Sequence, residues 1–99
     1  MVERIYPAGA PAPRGPYAPA VRAGAFIFVA GQGPVDPVTN EMSCGDIQHE
    51  TRVTLDNVRR ILEAAGATVA DVVRCGVFLK YAEDFAAMNA VYAEFFGET

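Results

Sequence analysis

The run Ala25-Phe26-Ile27-Phe28-Val29-Ala30, bounded by Gly24 and Gly31, is aromatic and β-branched between two backbone breakers. It is too short for an ordinary helix and its composition suits a pleated surface, so it predicts a well-buried strand. Upstream, Tyr17–Val21 leads through Arg22-Ala23 to Gly24 and reads as its hairpin partner. Pro19 has no N–H and confines that partner to a sheet edge. Residues 1–19 carry Pro7, Pro11, Pro13, Pro16 and Pro19. They read as loop, because each proline fixes φ and removes a ladder donor. Downstream, Gly31-Gln32-Gly33-Pro34-Val35-Asp36-Pro37 is too rich in Gly and Pro to continue a regular element. Asp36-Pro37-Val38-Thr39-Asn40 reads as a turn, with Asn40 tolerating the left-handed region. The loop has two readings. It is a plain chain reversal, or a backbone that lines a pocket where Gly31 and Gly33 allow close approach.

Asp46 opens the clearest helix, as an N-cap with Glu50 adding charge to the first turn. Thr51, Leu55, Val58, Leu62 and Ala65 recur at helical spacing and predict one apolar stripe. Gly66 suits the C′ position, and Asp56 can pair with Arg60 at i, i+4. Thr68 and Asp71 make a short turn. Val72–Leu79 then reads as a strand that Arg74 interrupts. A second helix runs from Glu83-Asp84 to Phe96 and stops at Gly97, with Phe85, Met88, Tyr92 and Phe95 as its apolar stripe. Strands alternating with helices predict helices on one face of a sheet. So small a sheet must gain strands or bury its open face in an oligomer.

Composition bounds the function classes. The chain has 99 residues, 52% of them hydrophobic, with a formal net charge of -4. That length gives one domain, and a monomer of 10.6 kDa exposes roughly 5,500 Å². The acidic balance and dispersed basic residues argue against a nucleic-acid partner, which needs a cationic field. No apolar run reaches the about 18 residues of a membrane-crossing helix, and no start of the chain reads as a secretory signal. Two cysteines and one histidine are too few for a zinc site without carboxylates, so no metal is expected. Unpaired thiols suit a reducing cytoplasm.

Few residues offer chemistry. Gly31-Gln32-Gly33 lacks the third glycine and following helix of a dinucleotide site, so no cofactor is indicated. Ser43 is the only serine, and nothing in the spacing pairs it with His49, which reads as a solvated side chain. Cys44 lies near a helix N-terminus but reads first as a surface thiol, and Cys75 reads as a small core residue. Tyr17, presented by Gly15-Pro16, either offers a hydroxyl to a ligand or packs its ring and leaves the hydroxyl wet. Asn89, on the edge of the second apolar stripe, wants a partner, either at a site or in a loop backbone.

The chain resembles the Rid family, the YjgF-like reactive intermediate deaminases. The resemblance rests on motifs in unbroken order: Gly15-Pro16-Tyr17, Val29-Ala30-Gly31-Gln32, Pro34-Val35-Asp36-Pro37, Leu55-Asp56-Asn57-Val58, Ile61–Gly66, Val77-Phe78-Leu79, Met88-Asn89 and Phe95-Phe96-Gly97. It implies an α+β, chorismate-mutase-like (bacillus type) subunit, with a mixed sheet, two helices on one face, and a homotrimer with clefts between subunits. It implies hydrolysis of imines and enamines such as 2-aminoacrylate to 2-keto acids and ammonia, with no metal or cofactor. An alternative is a non-catalytic ligand-binding or stress-chaperone member of the same fold. Carried over by residue, Tyr17 is the cleft tyrosine, Gly31 the backbone position beside the substrate, and Asn89 the helix asparagine at the subunit contact. Ala30 stands where members often have Ser. The family continues past Gly97 with a Pro-Ala-Arg segment and a further pair of strands. These carry the carboxylate-binding arginine and a glutamate that positions water. Residues 1–99 therefore read as one such domain, incomplete at its C-terminus. Arg14, Arg22 and Arg74 remain, and no motif assigns any of them to the carboxylate.

Overall fold

The structure is a computed structural model that describes residues 2–97. Its regular elements are β1 (Val2–Ile5), β2 (Ala20–Ala23), β3 (Phe26–Val29), α1 (Ile47–Ala64) and α2 (Phe85–Phe96), with short 3-10 turns at Val69–Asp71 and Ala82–Asp84. The α+β class holds. The sheet has the order β1-β2-β3, and both pairings are antiparallel, where the resemblance implied a mixed sheet.

The hairpin forms at a slightly different place from the one expected. Ala23 pairs with Phe26, so Gly24 and Ala25 make a two-residue loop. Gly24 has φ 61 while Ala25 stays out of the positive region, the pattern of a type II′ turn. β2 starts at Ala20, just past Pro19, whose carbonyl accepts from the Ala30 amide at 2.9 Å. Pro19 thus takes part as an acceptor without having to donate. β1 lies in the stretch expected to be loop. Its residues Val2-Glu3-Arg4-Ile5 precede the first proline, so nothing prevents them from pairing with β2.

The core sits where α1 crosses the sheet. Ile5, Ala10, Ala20, Ile61 and Ala65 are buried together, with Ile27 and Val29 packed against them. β3 is therefore covered on one face only. Phe26 and Phe28 point the other way, 63% and 62% exposed, with ring centroids 6.3 Å apart. Strand alternation explains the correction, since one layer of helix covers one set of alternate side chains.

α1 forms as its caps dictate. Asp46 Oδ1 accepts from the His49 amide at 2.8 Å. At the other end, Gly66 has φ 84, Gly66 N–H donates to Glu63 O at 3.0 Å, and Ala67 N–H to Leu62 O at 2.9 Å. These two bonds are a Schellman motif. Arg22 reaches from β2 to donate to the Ala65 carbonyl, which places a cation at the negative end of the helix. The buried face includes Asn57 and Ile61 beside the expected Leu55, Leu62 and Ala65. Asp56 pairs with Arg59 at 3.0 Å rather than with Arg60, because Arg60 is held by the Asn57 side chain.

α2 packs along α1. Gln48 donates to Ala87 O at 3.3 Å, and Arg52 forks onto Glu94 at 3.4 and 3.2 Å. Met88 and Val91 are the buried residues, while Phe85 of the expected stripe is exposed. This helix is apolar nearly all round, so its sequence does not say which face meets α1. Residues 72–79, expected as a strand, pair with no strand among the described residues, and Phe78 is 99% exposed. A strand requires a hydrogen-bonded neighbour, and the described sheet ends at β3. Cys75 correspondingly lies exposed rather than in the core.

Candidate functional site

Tyr17 sits at the end of a proline-guided turn. Its amide donates to Gly15 O at 2.9 Å, and a side chain at position 15 would touch its ring. Its hydroxyl oxygen accepts from the Arg14 amide at 3.3 Å, which leaves the phenolic proton free to donate outward. Opposite it runs the loop after β3. The Gln32 amide donates to Ala30 O at 3.2 Å. Further along, the Asp36 carboxylate accepts from the Val38 and Thr39 amides at 2.8 and 3.1 Å. The Thr39 amide first, then that of Val38, holds the Asp36 carboxyl below the usual aspartate range. Asn40 closes the turn at φ 60, and the Asp36 amide donates to Glu41 O at 2.8 Å. The turn is therefore the one expected for 36–40.

Between these two segments lies a cavity of about 220 Å³. Pro11, Pro13, Arg14 and Tyr17 form one wall, and Gly31 and Gln32 the other, with Val35 and Met42 beyond. The pocket-lining reading of the glycine loop is thus the one realised. Neither Gly31 nor Gly33 has positive φ, and a methyl group at either would meet no heavy atom within 4 Å. Glycine here leaves room and does not relieve strain. The polar groups facing the cavity are the Tyr17 hydroxyl, the Gln32 amide, exposed loop backbone and the Arg14 guanidinium. Among the described residues no carboxylate lines it.

Asn57 fixes the far wall. It is fully buried at 0% exposure. It donates through Nδ2 to Val35 O at 2.7 Å and to Gly33 O at 3.4 Å, and its Oδ1 accepts from Arg60 Nη1 at 3.0 Å. One helix side chain thereby ties the cavity loop to α1. Its signal in the sequence was faint, a polar residue beside an apolar stripe, and it becomes visible only once the loop is folded over the helix.

The expected site residues do not all meet. Tyr17 and Gly31 face the same cavity, and Ala30 adjoins Gly31 in the chain. Asn89 lies on an exposed position of α2 and does not line the cavity. Of the three unassigned arginines, Arg22 is taken by Glu3 and Ala65. Arg74 lines a separate, open cavity of about 250 Å³ with Cys75 and Tyr92. There the Cys75 thiol, and then burial, push the Tyr92 phenol up to about 12. Only Arg14 reaches the Tyr17 cavity. Ser43 and His49, expected apart, are bonded at 2.9 Å, because the His49 ring folds back over Gly45. Among the described residues no carboxylate holds that ring, and the pair lies outside both cavities. No group of three metal-ligating side chains occurs among the described residues, and no helix is long and apolar enough to cross a membrane.

An antiparallel sheet backed by α1, with a small cavity among its loops that no carboxylate of the described residues lines, defines a small α+β domain. The family model described as Endoribonuclease L-PSP matches residues 8–99. A RutC family protein of Pyrococcus horikoshii is 52% identical over 99 residues, covering 100% of this chain and 79% of that protein. The 2-iminobutanoate/2-iminopropanoate deaminase of Escherichia coli is 45% identical over 98 residues, covering 99% of this chain and 76% of that enzyme. A solved Rid-family structure from Yersinia pestis superposes with a TM-score of 0.95 at 29% identity, covering 100% of this chain and 79% of that one. The chain belongs to the Endoribonuclease L-PSP family, the YjgF-like Rid group to which its motifs pointed.

Proposed function

We propose that this protein hydrolyses reactive imines and enamines of the 2-aminoacrylate type to 2-keto acids and ammonia. The observation that carries the reading is that Tyr17 and Gly31 line one small cavity, in a family that includes a deaminase of this kind. The enamine tautomerises to the imine. Water then adds to the imine carbon, and the carbinolamine expels ammonia, leaving the keto acid. The Tyr17 hydroxyl, its oxygen already bonded to the Arg14 amide, is positioned to donate to the imine nitrogen or to the adding water. The Gly31 backbone faces the reacting carbon. In this reading the working unit is a cytoplasmic homotrimer whose clefts are completed by neighbouring subunits, with Asn89 at the subunit contact and residues 1–99 forming most of one domain.

The test is release of ammonia and pyruvate from freshly generated 2-aminoacrylate. The wild-type protein accelerates it over the spontaneous rate, and Tyr17→Phe loses about 10²-fold in kcat, the scale of one general acid. Wild-type protein that leaves the spontaneous rate unchanged refutes the enzyme reading. A second reading is motivated by Ala30, which stands where members often have Ser: the domain binds a keto acid or imine without converting it. Saturable binding of 2-ketobutyrate without turnover separates the two. RNA cleavage is disfavoured by the net charge of -4, because phosphate binding needs a cationic track. Incubation with RNA under the same conditions is expected to leave it intact.

A further inference from the structure

We infer that Ser43 and His49 form a second reactive site, a serine with its own base, which accepts acyl groups from uncharged activated esters and thioesters. The inference does not rest on the deaminase reading. Ser43 Oγ lies 2.9 Å from His49 Nε2, within the reach that lets a base take the proton of the nucleophile it serves. In the ring tautomer protonated at Nδ1, the Ser43 hydroxyl donates to Nε2, which is the direction that activates the oxygen. Both partners are pinned. The Ser43 amide donates to Pro34 O at 2.7 Å, next to the Val35–Met42 bridge. The His49 amide donates to Asp46 Oδ1 at 2.8 Å, and the Gly45 amide to Glu50 Oε2 at 3.2 Å. The His49 ring lies so close to Gly45 that a Cβ there would sit 2.8 Å from its Cδ2. Glycine at 45 is therefore what lets the ring turn back to the serine.

The chemistry is acyl transfer. Ser43 Oγ bonds to the acyl carbon as its proton passes to His49 Nε2. The tetrahedral intermediate then breaks its bond to the leaving oxygen or sulfur, which departs as the anion or takes the proton back from Nε2. An acyl-serine ester remains. Water attacks it with His49 again as base, and serine and a carboxylic acid result. The start of α1 follows Ser43 closely in the chain, and its orphan N–H groups supply partial positive charge for the oxyanion. Packing on Gly45 orients the ring here in place of the carboxylate of a full triad, and a triad that loses its carboxylate loses about 10⁴ in rate. The pair therefore suits donors whose leaving group departs easily, such as aryl esters and thioesters, and not amides. Glu41, Asp46 and Glu50 stand around it in the chain, so their field favours an uncharged donor over an anionic one.

The experiment incubates the protein with p-nitrophenyl acetate, follows nitrophenolate release, and maps acetyl groups by peptide mass spectrometry. Cys44 and Cys75 are both exposed, so Cys44→Ala and Cys75→Ala are present in every sample and no thiol competes. Ser43 is the only serine and His49 the only histidine, which makes the assignment unambiguous. The parent is expected to release nitrophenolate faster than buffer and to carry acetyl on Ser43. Ser43→Ala and His49→Gln are each expected to lower the protein-dependent release about 10²-fold, the low end for a general base. Should His49→Gln fail to fold, as judged by its amide spectrum, Ser43→Ala removes a single hydroxyl and still reads the inference. Acetyl found only on Lys80 or the terminal amine, or release that either variant leaves unchanged, overturns it. The deaminase assay is read separately. The pair lies outside both cavities, so Ser43→Ala is expected to release ammonia from 2-aminoacrylate at the wild-type rate. A loss there would place the pair in the deaminase machinery and overturn the second site, whereas a wild-type protein that deaminates nothing but is acetylated on Ser43 overturns the deaminase reading alone.

Discussion

Asn57 and Tyr17 show how much depends on single side chains here. Asn57 satisfies two loop carbonyls from inside the core. Asn57→Ala leaves those acceptors and Arg60 without their partner, so stability is expected to fall by roughly 1–3 kcal/mol, measured by urea unfolding. A loss under about 0.5 kcal/mol would mean that the loop holds its shape unaided. Asp36 acts on the same loop through charge. Its carboxyl is held low by the Thr39 and Val38 amides, so its contribution is full above the ordinary aspartate pKa and is lost as pH falls through the lowered one. The turn should therefore loosen only in acid, seen as a shift of the Val38 and Thr39 amide resonances. Asp36→Asn keeps an acceptor oxygen but does not titrate. Its amide resonances should stay flat over that acid range, and a persistent acid transition in this variant would assign it elsewhere.

The elements differ in how openly their sequences declare them. α1 carries its own start and stop, and both the Asp46 cap and the Gly66 terminator appear in the structure as expected. The helix could be read because caps and stripe are local. The strand expected at 72–79 could not be read in the same way. Its composition is right for a strand, but pairing is a property of two segments, and no described strand pairs with it. α2 presents the same difficulty in helical form, since its apolar surface is nearly continuous and only the contact with α1 selects Met88 and Val91.

At the scale of the molecule the 99 residues leave much surface open. Some 6665 Å² is accessible, against roughly 5,500 Å² for a monomer of this mass. Part of that excess is apolar: Phe26 and Phe28 on the open sheet face, and Val73 and Phe78 on the unpaired segment. In the proposed homotrimer such a face would be covered. Sedimentation velocity is expected to show a species of three chains, and Phe28→Glu to shift it toward monomer, because an unpaired charge does not tolerate burial. A variant that sediments like wild type would place the subunit contact elsewhere.

Local chemistry settled much of this protein in advance. The residue order announced the hairpin, the capped first helix, the Asp36 turn and the family, because turns, caps and motifs are written in neighbouring residues. Tyr17 and Gly31 were legible as candidate site residues for the same reason. The tertiary structure decided what depends on distant segments meeting. It put Asn57 beneath the cavity loop, brought the 14–17 segment across from Gly31, and turned Phe26 and Phe28 outward. It also joined Ser43 to His49 and left residues 72–79 without a strand partner among the described residues. These outcomes depend on how segments pack against one another, which no run of neighbouring residues records, so only the folded chain could reveal them.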